Sequence, residues 1–90
     1  MIRKNFRFYG RVQGVGFRRM AINAASSLGV TGWVRNERDG SVSMEAQGFD
    51  VAIERLIDTI RNGRYISIER IEAKDIPIVD GEDGFALKRV

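Results

Sequence analysis

The stretch Gly10-Arg-Val-Gln-Gly-Val-Gly-Phe-Arg18 combines residue types that suit an anion site. It follows an alternating run, Phe6-Arg-Phe-Tyr9, and precedes a helical pattern that begins at Phe17. Gly10, Gly14 and Gly16 let the main chain turn sharply and bring its N–H groups close to a ligand. A helix start adds unpaired donors and a partial positive charge. Arg18, in the first helical turn, offers a planar fork of donors suited to phosphate. The residues that would form the cradle are Gln13, Gly14, Val15, Gly16 and Phe17, through their main-chain amides. A second candidate is Asn36, just before a predicted hairpin turn; its carboxamide can hold a water in one orientation. Residue type alone leaves both side chains open. Asn36 is equally a turn-forming asparagine, and Arg18 an exposed helix residue like its neighbour Arg19.

The chemistry has bounds. The chain has no histidine and no cysteine. Zinc and most transition-metal sites are therefore not expected, nor Ser-His or Cys-His nucleophile pairs, nor a disulfide framework. The net charge of +3 comes from fifteen basic and twelve acidic residues. They are interleaved without a block of like charge, so the excess favours anion steering over a nucleic-acid tract. No apolar run approaches the length of a membrane span, and no apolar leader precedes the first strand, so a cytoplasmic protein is expected.

The elements that must position these residues follow from periodicity. Phe6, Phe8 and Val12 alternate with Arg7, Tyr9 and Arg11, which predicts a strand over Asn5–Val12. Phe17, Met20, Ala21, Ala24, Ala25 and Leu28 fall on one helical stripe, ended by Gly29. Val30–Asn36 reads as a second strand, Asp39-Gly40 as a turn, and Val42, Met44 and Ala46 as the third strand of a hairpin. After Gly48, Asp50 is expected to cap a helix with a stripe of Ile53, Leu56, Ile57 and Ile60, stopped at Asn62-Gly63. Ile66, Ile68, Ile71 and Ala73 mark a fourth strand, and its alternation slips at Glu69-Arg70, which predicts a bulge or a change of face there. A loop from Ile76 to Gly84 leads to a short strand at Phe85–Lys88. The order β-α-β-β-α-β plus a terminal strand predicts one α+β domain over residues 1–90. It would be a ferredoxin-like sandwich: an antiparallel sheet of four to five strands with two helices on one face.

The glycine stretch, followed by Gly32-Trp-Val-Arg-Asn36 and Asp39-Gly-Ser-Val42, closely resembles the two signatures of the acylphosphatase family. The resemblance covers most of the chain, including the last strand with Phe85. It implies the same fold and an enzyme that hydrolyses small acyl phosphates to carboxylate and inorganic phosphate. It further implies that amides from Gln13 to Phe17 and the Arg18 side chain hold the phosphoryl group while Asn36 orients the attacking water. No cofactor, metal or covalent intermediate is expected, and the partner is a small molecule acting on a monomer, with no nucleic acid or membrane involved. Two loops depart from the family's commoner pattern, Asn62-Gly-Arg-Tyr65 and Gly48-Phe49, where a proline often follows the glycine. The alternative is a non-catalytic ferredoxin-like module that binds phosphate or RNA, with Tyr9 and Trp33 as stacking aromatics. Acylphosphatase-like units also occur within larger carbamoyl-transferring proteins, and the end of this chain at Val90 argues against that arrangement.

Overall fold

A computed structural model describes residues 1–89. The elements are β1 (Ile2–Arg11), α1 (Phe17–Leu28), β2 (Thr31–Asn36), β3 (Val42–Gly48), α2 (Asp50–Arg61), β4 (Ser67–Ile76) and β5 (Phe85–Lys88). They build one five-stranded sheet in the order β4-β1-β3-β2-β5. Its helix-covered face carries Phe6, Phe8, Val34, Val42, Met44 and Ala46. These pack with Ala21 and Ala25 of α1 and with Ile53, Leu56 and Ile60 of α2 in one core. The period-two and period-3.6 patterns thus close on each other as the alternation requires. No helix among the described residues is long and apolar enough to cross a membrane.

β1 pairs antiparallel with β3 and β4, and β3 pairs antiparallel with β2. The last strand departs from the antiparallel expectation, because β5 lies parallel to β2 at the sheet edge. β4 and β2 run in opposite directions, so the chain leaving β4 begins its last strand where β2 begins. It must then run alongside β2 in the same sense. Strand β1 starts at Ile2, three residues before the expected Asn5, because β3 extends the ladder to Ile2 and β4 extends it to Arg3. Asp50 is not the cap of α2. Phe49 holds that position with extended backbone angles, and Asp50 lies in the first turn, where its charge complements the helix dipole.

The bulge lies where the alternation slips. Tyr9 pairs with Arg70 and Gly10 pairs with Ile68, which leaves Glu69 without a partner residue. Gly10 has a φ of 123°, and a Cβ there would collide with the Ser67 carbonyl oxygen. Gly10 therefore serves the sheet by closing the bulge, and only Gly14 and Gly16 remain for the loop.

The open face of the sheet is polar but not all exposed. Arg3 is 3% exposed, with Nε donating to Glu45 at 3.0 Å and Nη1 to Glu82 at 2.7 Å. Gln47, opposite Arg3 in the ladder, exchanges two hydrogen bonds with the Val79 main chain. These contacts fasten the segment between β4 and β5 across the sheet. The Arg3 hydrogen bond, followed by one from Thr31, holds the Glu82 carboxyl below the ordinary carboxylate range against the opposing cost of burial. A carboxylate lowered in the folded state stabilises the fold above its unfolded pKa, and that contribution is lost as pH falls through the folded value. Urea unfolding should therefore show stability declining as the solution is acidified below the usual glutamate range. Glu82→Gln should flatten that decline and cost about 1.5–3 kcal/mol at neutral pH. An unchanged pH dependence in the variant contradicts this role.

Candidate active site

β1 and β2 are both antiparallel to β3, so they run parallel to each other and finish at the same end of the sheet. The chain leaves β1, forms the loop 12–16 and enters α1 at that end. Val12 and Phe17, at 1% and 2% exposure, bracket the loop as buried anchors. The Phe17 ring packs on Phe8 with centroids 4.9 Å apart, which fixes the start of α1 to the sheet. Between these anchors Gly14 and Gly16 have φ values of 71° and 84°. No atom would block a side chain at either position. The left-handed backbone itself therefore selects glycine here.

Gly16 is the N-cap of α1 and has no side chain to cap it. The first turn-closing bond runs from the Met20 N–H to the Gly16 carbonyl. The amides from Gly16 to Arg19 precede it and have no acceptor within the helix. There is no acidic residue in the first turn; Arg18 and Arg19 occupy it instead. Two cations at a helix N-terminus oppose the dipole and disfavour the empty helix. An anion bound there would relieve both problems.

Asn36 is the last residue of β2 and shares the core-facing side with Val34, which is fully buried. At the strand's end the core gives way to a cavity of about 490 Å³. Gly14, Gly16, Phe17, Arg18 and Asn36 line it together. The Asn36 Oδ1 is buried and has no hydrogen-bond partner, an uncommon state for a buried acceptor. Gln13 and Val15, expected as part of the cradle, do not line the cavity. The Val15 side chain packs against the core. The Gln13 side chain reaches the β2–β3 turn, where its Nε2 donates to the carbonyl oxygens of Glu37 and Ser41.

Residue patterns alone did not single out Ile22, Asn23 and Leu87, which complete the wall with Val12 and Arg19. Ile22 and Asn23 lie one helical turn beyond Arg18 and Arg19, so helix spacing carried a signal for them. Leu87 had none, since its place depends on the parallel pairing of β5. In the β2–β3 turn that follows Asn36, the Glu37 carboxylate is held below its usual pKa by a hydrogen bond from Ser43 and by Arg35. The Asp39 carboxylate is lowered likewise, first by the Ser41 hydroxyl and amide and then by Arg7. Among the described residues, no three carboxylates converge as a metal site would need.

A family model described as acylphosphatase matches residues 4–87. The chain is 44% identical to an acylphosphatase of Bifidobacterium longum over 89% of this chain and 84% of the relative. It is 44% identical to an acylphosphatase of Salinibacter ruber over 97% of this chain and 93% of the relative. Among solved structures, the acylphosphatase from Bacillus subtilis superposes with a TM-score of 0.89 at 29% identity, covering 98% of this chain and 99% of that one. Full-length HypF in its phosphate- and nucleotide-bound form matches with a TM-score of 0.85 at 26% identity, over 97% of this chain but 12% of that one.

Proposed function

The chain belongs to the acylphosphatase family, and on that premise we propose that its acyl phosphate hydrolysis takes place in the cavity between the glycine loop and Asn36. Amides of Gly14, Gly16 and Phe17, the loop and first-turn residues that line the cavity, receive the phosphoryl oxygens. Arg18 adds a bidentate, charge-assisted contact. Asn36 Oδ1 accepts a hydrogen bond from the attacking water and turns a lone pair toward phosphorus. The observation that carries this reading is the convergence of Arg18, Gly14, Gly16 and Asn36 on one cavity, with the Asn36 Oδ1 left without a hydrogen-bond partner.

The water oxygen forms the new P–O bond as the bond from phosphorus to the acyl oxygen breaks. The carboxylate leaves with the electron pair and needs no proton to depart. One water proton passes to a phosphoryl oxygen, so an acyl phosphate dianion and water give a carboxylate and dihydrogen phosphate. Such a loose displacement asks the protein mainly for positioning and charge stabilisation. A chain without histidine can supply both. All of the groups invoked come from a single chain, which suits a monomer acting on a small molecule.

The RNA-binding alternative finds little support. Phe6 and Phe8 are core residues, Arg70 already covers the Tyr9 ring at 4.1 Å, and Lys88 and Arg35 flank Trp33.

Hydrolysis of benzoyl phosphate in ¹⁸O-labelled water tests the mechanism. The label is expected in inorganic phosphate and absent from benzoate, and EDTA is expected to leave the rate unchanged. Label in benzoate means attack at the carbonyl carbon and overturns the proposal; loss of activity with EDTA overturns its metal-free form.

A further inference from the structure

The Gln13 carboxamide joins the glycine loop to the β2–β3 turn, two segments that no main-chain hydrogen bond links. One N–H of its Nε2 reaches the Glu37 carbonyl oxygen at 2.7 Å and the other reaches that of Ser41 at 2.9 Å. Both partners are acceptors, so only the nitrogen end of the carboxamide fits there. These carbonyls are the base of the β2–β3 turn, where the Glu37 N–H also bonds the Ser41 carbonyl at 2.8 Å. Gln13 thus occupies the second lone pair at each side of the turn's neck. Glu37 follows Asn36 directly, and Gln13 precedes Gly14 directly. The turn is braced from the opposite sheet face as well: Arg7 Nε donates to the Ser41 hydroxyl at 2.6 Å, and Arg7 Nη2 lies 3.1 Å from Asp39.

We propose that the Gln13 side chain is a positioning residue for hydrolysis, a two-point clamp that sets the distance and tilt of Asn36 relative to the phosphate loop. One hydrogen bond would leave the turn free to rotate about it. Two donors from a planar amide, on two carbonyls of one turn, remove that rotation. The proposal rests on the Asn36 reading above and adds the group that aims Asn36. The role is separate from the main-chain amide of Gln13, which every substitution except proline retains.

The test measures kcat, KM and the inhibition constant of inorganic phosphate for Gln13→Ala, Gln13→Met, Asn36→Ala and the double variant Gln13→Ala/Asn36→Ala. Gln13→Ala is expected to lower kcat about ten- to a hundredfold, with phosphate inhibition and thermal unfolding little changed. Gln13→Met keeps length and bulk but has no N–H, so it should be equally slow. In the Asn36→Ala background, removing Gln13 should cost almost nothing further, because the group it aims is gone. A full additional loss in that background assigns Gln13 a general structural role and overturns the proposal. Restoration of kcat by Gln13→Met overturns it too, since packing alone would then suffice. If Asn36→Ala itself retains full activity, the underlying mechanism fails, an outcome distinct from a silent Gln13→Ala in an enzyme that still needs Asn36.

Discussion

Arg18→Ala is expected to abolish measurable turnover and phosphate affinity together while the fold survives. The guanidinium would make two charge-assisted hydrogen bonds to the phosphoryl group, each contributing about 1.5–3 kcal/mol. Their loss corresponds to a rate reduction of roughly 10²–10⁴. Nothing in the fold depends on this side chain. It is only half-buried, and among the described residues it belongs to none of the ion pairs. Its removal also takes one cation away from the N-terminal turn of α1, where positive charge opposes the dipole. Without ligand the variant should therefore be at least as stable as the parent, with a gain of about 0.3–1 kcal/mol. Phosphate reverses the order, because it should raise the unfolding temperature of the parent and hardly move that of the variant. Arg18→Lys keeps the charge without the fork and should recover only part of the activity. Benzoyl phosphate hydrolysis by Arg18→Ala at the parental rate contradicts the site assignment. Loss of stability without ligand contradicts the view that this arginine sits at its place for function alone.

This tension between local preference and function explains which features could be read from residues. α1 was legible from Phe17 to its Gly29 stop because its apolar stripe is continuous and glycine ends it. The hairpin was legible because Asp39-Gly40 separates two alternating runs, and the bulge because Ile68 and Ile71 are out of phase. These are local signals. The features that escaped depend on distant pairings. Arg3 lies before the run that alternation marked as a strand, yet it is buried because Glu82, which follows β4, comes back across the sheet to meet it. The parallel course of β5 follows from where β4 ends, which no window of sequence contains. Gly10 looked like part of the anion loop because it lies in the same run as Gly14 and Gly16. Only the β1–β4 register reveals that it answers to Ser67 and Glu69. The Gln13 side chain escaped for a related reason: its partners are carbonyls, and a carbonyl leaves no mark on residue type.

Asn36→Ala is expected to separate the two halves of the site. The phosphate loop and Arg18 remain, so the inhibition constant of inorganic phosphate should stay within about threefold of the parent, since only groups that contact the bound anion affect it. Turnover should fall about 10²–10³-fold, the loss found when a single preorganised hydrogen-bonding group is removed from a reaction centre. The fold has little reason to suffer. Asn36 Oδ1 is buried without a partner, so deleting it removes an unsatisfied acceptor and leaves none behind. Stability should hold or rise, and urea unfolding measures it. Asn36→Asp discriminates further. It keeps an acceptor at the same distance but adds a negative charge facing the phosphoryl oxygens, so it should weaken phosphate binding, which Asn36→Ala does not. A neutral carboxamide is thus the side chain that accepts from water without repelling the substrate. Equal losses of phosphate affinity and turnover in Asn36→Ala would assign Asn36 to the phosphate clamp and leave the water without an orienting group.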